Sequence, residues 1–305
     1  MSGVALVFPG QGSQQPAMAA PWRDHPAYAR WAEADEVLGR DVTRLGTDAD
    51  ADELREPYNC QIALFVHHVV LLEAWRAAGG EEPVVVAGHS LGEYDALVAA
   101  GVLGFADALR LVDARARHTA AAAEANPGTM VACLGFDVEQ LRAACAAVGA
   151  HVANDNAPGQ VVAAGSVEAL DALAERLRGS SEAGRVVRLQ VGAAYHSPHM
   201  EPAVEPLGAA LDAAAFADAA VPVIANVDAR PHTAAAEWPS LLRAQVVSPV
   251  RWRETVATMA ELGVDTVVEL GASPVLTGLV KRCDRSLGRR TVSTPDDLPA
   301  GGDTR

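Results

Sequence analysis

The chain opens on an unbroken apolar run, Val4 to Phe8, closed by Pro9-Gly10, which predicts a buried strand running into a Gly-Ser-rich loop at residues 10–13. From Gln61 to Ala78 apolar residues recur at helical spacing. A β-branched run, Pro83 to Ala87, then ends at Gly88 and is followed by helix formers from Leu91 to Ala100. The local order there is strand, tight turn, helix. A further helix over Ala106 to Ala123 stops before Asn126-Pro127-Gly128. Beyond it the rhythm changes. Strands are expected over Thr129 to Leu134, His151 to Ala153, Gln160 to Ala164 and Arg185 to Val191, with a turn over Asn154 to Gly159 and helices over Val138 to Val148 and Val167 to Leu177. That β-α-β-β-α-β order is the signature of a ferredoxin-like unit. A helix over Val204 to Ala215 and strands over Val221 to Ala225 and Thr266 to Leu270 return to the first pattern. The expectation is an α/β main domain over residues 1–127 and 193–305, with a small ferredoxin-like domain inserted over 128–192. The Pro-, Asp- and Gly-rich tail after Ser293 is expected to be a loose arm.

Composition narrows the class without naming a function. Half of the 305 residues are apolar and only 5% aromatic, which suits a helix-rich globular protein. No run of apolar residues is long enough for a membrane span, and no basic leader precedes the first strand, so a cytoplasmic protein is expected. Cys60, Cys133, Cys145 and Cys283 lack metal-ligand or paired spacing and are expected to be reduced packing residues. A formal charge of −15 argues against nucleic acid as a partner.

One pattern carries chemistry. Gly88-His89-Ser90-Leu91-Gly92 fits the Gly-x-Ser-x-Gly elbow and lies between a predicted strand and a predicted helix. In such an elbow the serine sits on a strained turn that projects its hydroxyl, and side chains at the flanking glycines would strike neighbouring backbone. The helix start behind it offers unpaired N–H groups, with that of Leu91 placed to stabilise an oxyanion.

Extended to Gly88-His89-Ser90-Leu91-Gly92-Glu93-Tyr94, this segment resembles the active-serine segment of malonyl-coenzyme A:acyl carrier protein transacylases and polyketide synthase acyltransferase domains. Four more segments resemble the same family in the same order: Phe8-Pro9-Gly10-Gln11-Gly12-Ser13-Gln14, Tyr195-His196-Ser197-Pro198-His199-Met200, Ser248-Pro249-Val250-Arg251-Trp252, and Glu269 through Leu276. The resemblance implies an α/β-hydrolase-like main domain with a ferredoxin-like insert. It makes Ser90 the nucleophile and His196 its general base, since an unassisted serine hydroxyl is a poor nucleophile at neutral pH. His89 becomes structural support. It implies that a backbone carbonyl, at the position matching Ser248, orients the histidine; Ser248 stands where fatty-acid members commonly carry asparagine. The backbone N–H of Gln11 would join that of Leu91 in the oxyanion hole.

The same resemblance speaks to the acyl group. Arg115 matches the arginine that grips the free carboxylate of malonyl-type groups, with Arg117 as its near competitor and Gln61 as a pocket neighbour. An arginine on an amphipathic helix is ordinarily solvated, but a guanidinium also suits bidentate pairing with a carboxylate. Leu91 is typical of malonyl-selective members. Tyr195 takes the place of a phenylalanine in those members, leaving little room for a branch but adding a hydroxyl that needs a partner. The implied substrates are a coenzyme A thioester and the phosphopantetheine thiol of an acyl carrier protein, with no bound metal or cofactor, and a monomer is expected because no exposed apolar helix stands out. Carrier proteins are acidic, so the basic run of Lys281, Arg282, Arg285, Arg289 and Arg290 is either a docking patch or a solvated helix end. The alternatives are an editing hydrolase, a transacylase for a neutral or aminoacyl group, and a non-catalytic carrier-binding scaffold; Arg115 argues against the first two, and the intact Ser90, His196 and oxyanion-hole motifs against the third.

Overall fold

The computed structural model describes residues 3–178 and 184–299. Among the described residues ten strands form two sheets: β1 Gly3–Phe8, β2 Val85–Gly88, β3 Thr129–Leu134, β4 His151–Ala157, β5 Gln160–Gly165, β6 Arg185–Arg188, β7 Val223–Ile224, β8 Pro231–His232, β9 Val264–Leu270 and β10 Gly288–Val292. The larger sheet has the order β10-β9-β1-β2-β7-β8, parallel except at β8. The smaller is antiparallel, with order β4-β5-β3-β6.

β1 lies inside the larger sheet with every residue buried, which is why its sequence is continuously apolar rather than alternating. Its pleat still divides it between two layers. Val4, Leu6 and Phe8 pack with the helix Pro57–Ala77, whereas Ala5 and Val7 pack with Trp252, Val256 and Met259 of the helix Trp252–Glu261. The helix Pro57–Ala77 begins four residues before the expected Gln61, with Pro57 in its first turn, where the missing N–H costs no hydrogen bond. It is buried almost all round.

Three expectations need correction. Asn154, Asp155 and Asn156 were expected in a turn, yet they continue β4, and the turn is confined to Pro158-Gly159. Pairing with β5, reinforced by long-range partners, explains this. Asp155 N donates to Val250 O at 2.9 Å, the Asp155 carboxylate accepts two-pronged bonds from Arg253, and Asn156 Oδ1 meets His89 Nε2 at 2.7 Å. These polar side chains thus fasten the smaller sheet to the larger one. The strand β10 went unrecognised because Arg289 and Arg290 mask it; charged residues are common on such edges. Arg290 lies over the Trp75 ring, 5.2 Å from its centroid, so it is separated from the helix carrying Lys281 and Arg282. The tail is also less loose than expected up to residue 299. Trp22 Nε1 donates to Ser293 O at 3.1 Å, and Thr294 and Asp297 cap a short turn. All four cysteines are free thiols, and burial raises Cys60 and Cys133 to about 12.

Candidate active site

β2 ends at Gly88 and the helix Gly92–Ala99 starts four residues later, leaving Ser90 on the turn with φ 55°. That left-handed conformation is costly for a serine and must be imposed by its surroundings. Asn226 imposes part of it: its Oδ1 accepts from Ser90 N at 2.7 Å and its Nδ2 donates to Gly88 O at 2.7 Å. Close backbone approach supplies the rest. A Cβ on Gly88 would lie 1.8 Å from Gly92 C and O, and one on Gly92 would lie 2.1 Å from Phe8 O. Gly88→Ala is therefore expected to cost about 3 kcal/mol or more, read as a large drop in Tm, whereas a near-native Tm would show that the elbow can yield.

Ser90 Oγ lies 2.7 Å from His196 Nε2, although the two residues are 106 positions apart. His196 also has a left-handed backbone, φ 55°. Its Nδ1 faces the main-chain oxygen of Gln245 at 2.9 Å. Only an N–H can face a carbonyl, so Nδ1 carries the proton and Nε2 is left to accept from the serine hydroxyl. This corrects the expectation at Ser248. The helix Trp238–Val247 ends just before that residue, and Gln245 lies in its last turn, where carbonyls have no partner within the helix. Ser248 contributes only a lesser backbone interaction with the ring. Burial, and then the neighbouring Arg115 cation, push the His196 imidazole down to about 3, so it is a neutral base throughout the neutral range.

Arg115 approaches from the helix Phe105–Ala125 and is 5% exposed. Its Nη1 donates to Gln61 Oε1 at 2.5 Å, and its Nη2 donates to Ser90 Oγ at 3.1 Å and to Gln245 Oε1 at 3.2 Å. Its Nε has no partner, and it forms no ion pair among the described residues. Burial lowers its pKa, but an arginine remains charged. Arg117, the competitor, is exposed and pairs with Asp113. A cavity of about 410 Å³ opens over these groups and is lined by Gln11, Ser90, Leu91, Arg115, Tyr195 and His196, among others. The amides of Gln11 and Leu91 donate to no atom among the described residues. The Tyr195 hydroxyl is buried without a partner, and burial raises it to about 12.

His89 points away from Ser90 toward Asn156 and packs against Trp252. Of the basic residues, Arg282 reaches the cavity wall, while Lys281 and Arg285 are exposed outside it. Three site residues escaped the sequence reading: Glu93, Asn226 and Gln245, all buried beneath the elbow. Glu93 stood inside the serine segment and Gln245 just before the Ser248 segment, but nothing in either residue type announces a role. Chemically, the arrangement presents a serine whose proton can pass to a neutral imidazole, next to two free amides and a buried cation.

The fold and this geometry meet a family. A profile described as Acyl transferase domain matches residues 5–296. The chain belongs to the acyl transferase family. Relatives within it include the malonyl CoA-acyl carrier protein transacylase of Bacillus subtilis, 40% identical over 98% of this chain and 96% of that protein. The Escherichia coli K12 protein of the same name is 38% identical over 98% of this chain and 99% of its own length. Among solved structures, the acyl carrier protein S-malonyltransferase of Vibrio cholerae superposes with a TM-score of 0.92 at 37% identity, covering 96% of this chain and 97% of that one. The malonyl-transacylase solved in complex with its type II PKS acyl-carrier protein gives 0.94 at 36% identity, covering 98% and 99%. As an acyl transferase, the chain works through a serine.

Proposed function

We propose that the enzyme transfers a malonyl group from coenzyme A through an ester on Ser90 to the phosphopantetheine thiol of an acyl carrier protein. The observation that carries the acyl group's identity is Arg115: a buried guanidinium 3.1 Å from the nucleophile that forms no direct ion pair among the described residues. A buried cation without a direct ion-pair partner is costly unless its ligand supplies one. The free carboxylate of a malonyl thioester does so and leaves its carbonyl over Ser90.

In the first half-reaction Ser90 Oγ attacks the thioester carbonyl while its proton passes to His196 Nε2. The Gln245 main-chain oxygen holds Nδ1–H and stabilises the imidazolium that forms. The Gln11 and Leu91 amides receive the oxyanion. Collapse breaks the carbon–sulfur bond, and the coenzyme A thiolate leaves with the proton from His196. The second half-reaction mirrors the first: His196 takes the carrier thiol's proton, the thiolate attacks the ester, and Ser90 is released with its proton restored. Leu91 and the Tyr195 ring narrow the cavity beside the acyl carbon and favour an unbranched group.

The antiparallel sheet, with its β-α-β-β-α-β order, supports a ferredoxin-like reading for residues 128–192, and the parallel sheet supports an α/β-hydrolase-like reading for the remainder. A monomeric cytoplasmic enzyme is our reading; among the described residues no helix is long and apolar enough to cross a membrane. The test of the reaction is transfer from malonyl-CoA to a holo carrier protein. Malonyl-carrier should accumulate in step with released coenzyme A, whereas malonate released to water instead would identify a hydrolase. Lys281, Arg282 and Arg285 form the proposed docking patch at the cavity mouth. Charge reversal at Arg282 and Arg285 is expected to raise the KM for the carrier about tenfold at low salt, with a smaller effect at high salt. Unchanged carrier kinetics would remove the patch.

A further inference from the structure

We infer that Glu93 is a positioning residue: it fixes which way the Gln245 amide points, and through that amide holds Arg115 ready for a carboxylate. The inference rests on the reading of Arg115 given above. Glu93 sits in the first turn of the helix behind the nucleophile and is 1% exposed. Its Oε1 accepts from Asn226 N at 2.7 Å and its Oε2 accepts from Gln245 Nε2 at 2.6 Å. The same Nε2 donates to Ser90 O at 2.8 Å, while Gln245 Oε1 accepts from Arg115 Nη2. With the Gln245 main-chain oxygen on His196, one fully buried residue touches the nucleophile's backbone, the base and the cation.

A primary amide has one donor end and one acceptor end of nearly equal size, so its neighbours decide its orientation. Burial raises Glu93 to about 7, but the Asn226 N–H, the Gln245 NH2 and the Arg115 cation oppose that rise, and both of its oxygens accept here; a main-chain carbonyl can only accept. Glu93 and Ser90 O together demand the NH2 end of Gln245, which leaves the oxygen end for Arg115, a donor only. All the groups around the amide then agree. Replacing Glu93 by glutamine breaks that agreement, because one of its ends now donates. With its oxygen kept on Asn226 N–H, its NH2 end faces Gln245 and turns the amide over. Two donors then confront each other at Arg115, and buried groups left unpaired are costly.

The test uses Glu93→Gln, Gln245→Leu and the double variant, each assayed for acylation by malonyl-CoA and by acetyl-CoA, which offers no carboxylate. Gln245→Leu removes the amide but keeps the main-chain oxygen that holds His196. Each single variant is expected to lose about 10- to 100-fold in kcat/KM for malonyl-CoA and to lower the ratio of malonyl-CoA to acetyl-CoA use by about 10-fold. Because Glu93 acts through Gln245, the double variant should fall no lower than Gln245→Leu alone. Equal losses for both donors, multiplicative losses in the double variant, or wild-type use of malonyl-CoA would each overturn the inference. If Glu93→Gln does not fold, Gln245→Leu decides alone, and undiminished malonyl preference there overturns it. Arg115→Ala run alongside separates the two readings. If it spares malonyl-CoA, the carboxylate clamp itself fails; if it does not, the outcome bears on Glu93 only.

Discussion

His196→Ala is expected to lower kcat/KM for malonyl-CoA about 10³-fold while leaving the protein folded. Among the described residues His196 Nε2 is the only side-chain atom placed to accept the proton of Ser90 Oγ, at 2.7 Å, since Arg115 Nη2 can only donate, and Nδ1 is committed to the Gln245 carbonyl. Among the described residues no carboxylate is hydrogen-bonded to the ring, and His89, next in sequence to the nucleophile, is turned toward Asn156. Both half-reactions need a proton moved at this one atom, so the loss should appear in acylation and in transfer to the carrier alike. Single-turnover kinetics of each half-reaction checks this. A loss below tenfold in either would mean that another group serves as base.

Arg115→Ala is expected to cost about 10²- to 10³-fold in kcat/KM for malonyl-CoA, much more than for acetyl-CoA, because it removes a charge-assisted, desolvated pairing that only the malonyl group can make. The pH profile gives an independent readout. His196, held down at about 3 by burial and then by the Arg115 cation, is already neutral well below neutrality. Its base form is lost only when pH falls through that depressed value, so His196 itself should contribute no fall in rate at the ordinary histidine pKa of about 6.5. Without the cation the imidazole is easier to protonate, and the acid limb measured with acetyl-CoA should move upward. An unmoved limb would contradict the electrostatic coupling between Arg115 and His196.

The parts of this molecule that were readable in the sequence are those in which local chemistry and local structure coincide. Val4 to Phe8 is continuously apolar because β1 is covered on both faces, and the elbow glycines are there because backbone passes within 2.1 Å of where a Cβ would stand. Ser90, His196 and Arg115 could be assigned because each lies in or near a characteristic segment, and the fold brings all three together. What escaped was set by distant partners. Asn154 to Asn156 have the composition of a turn, yet Asn154 and Asp155 pair with Val162 and Val161 of β5, and His89, Val250 and Arg253 from the other part of the chain hold Asp155 and Asn156 there. The acceptor for His196 is a main-chain oxygen, which every residue carries, so helix geometry rather than residue type chose Gln245 over Ser248. Glu93 meets Asn226 and Gln245 across 133 and 152 residues, and no spacing rule spans such distances.

The central claim is that Ser90 takes a malonyl group from coenzyme A. Intact mass spectrometry after mixing the protein with malonyl-CoA, beside Ser90→Ala and Arg115→Ala, tests it most directly. The account predicts one malonyl adduct on the wild type, none on Ser90→Ala and a weakened adduct on Arg115→Ala. An adduct that survives Ser90→Ala would contradict the nucleophile. No adduct on the wild type, with malonyl-CoA left unconsumed, would contradict the acyl donor.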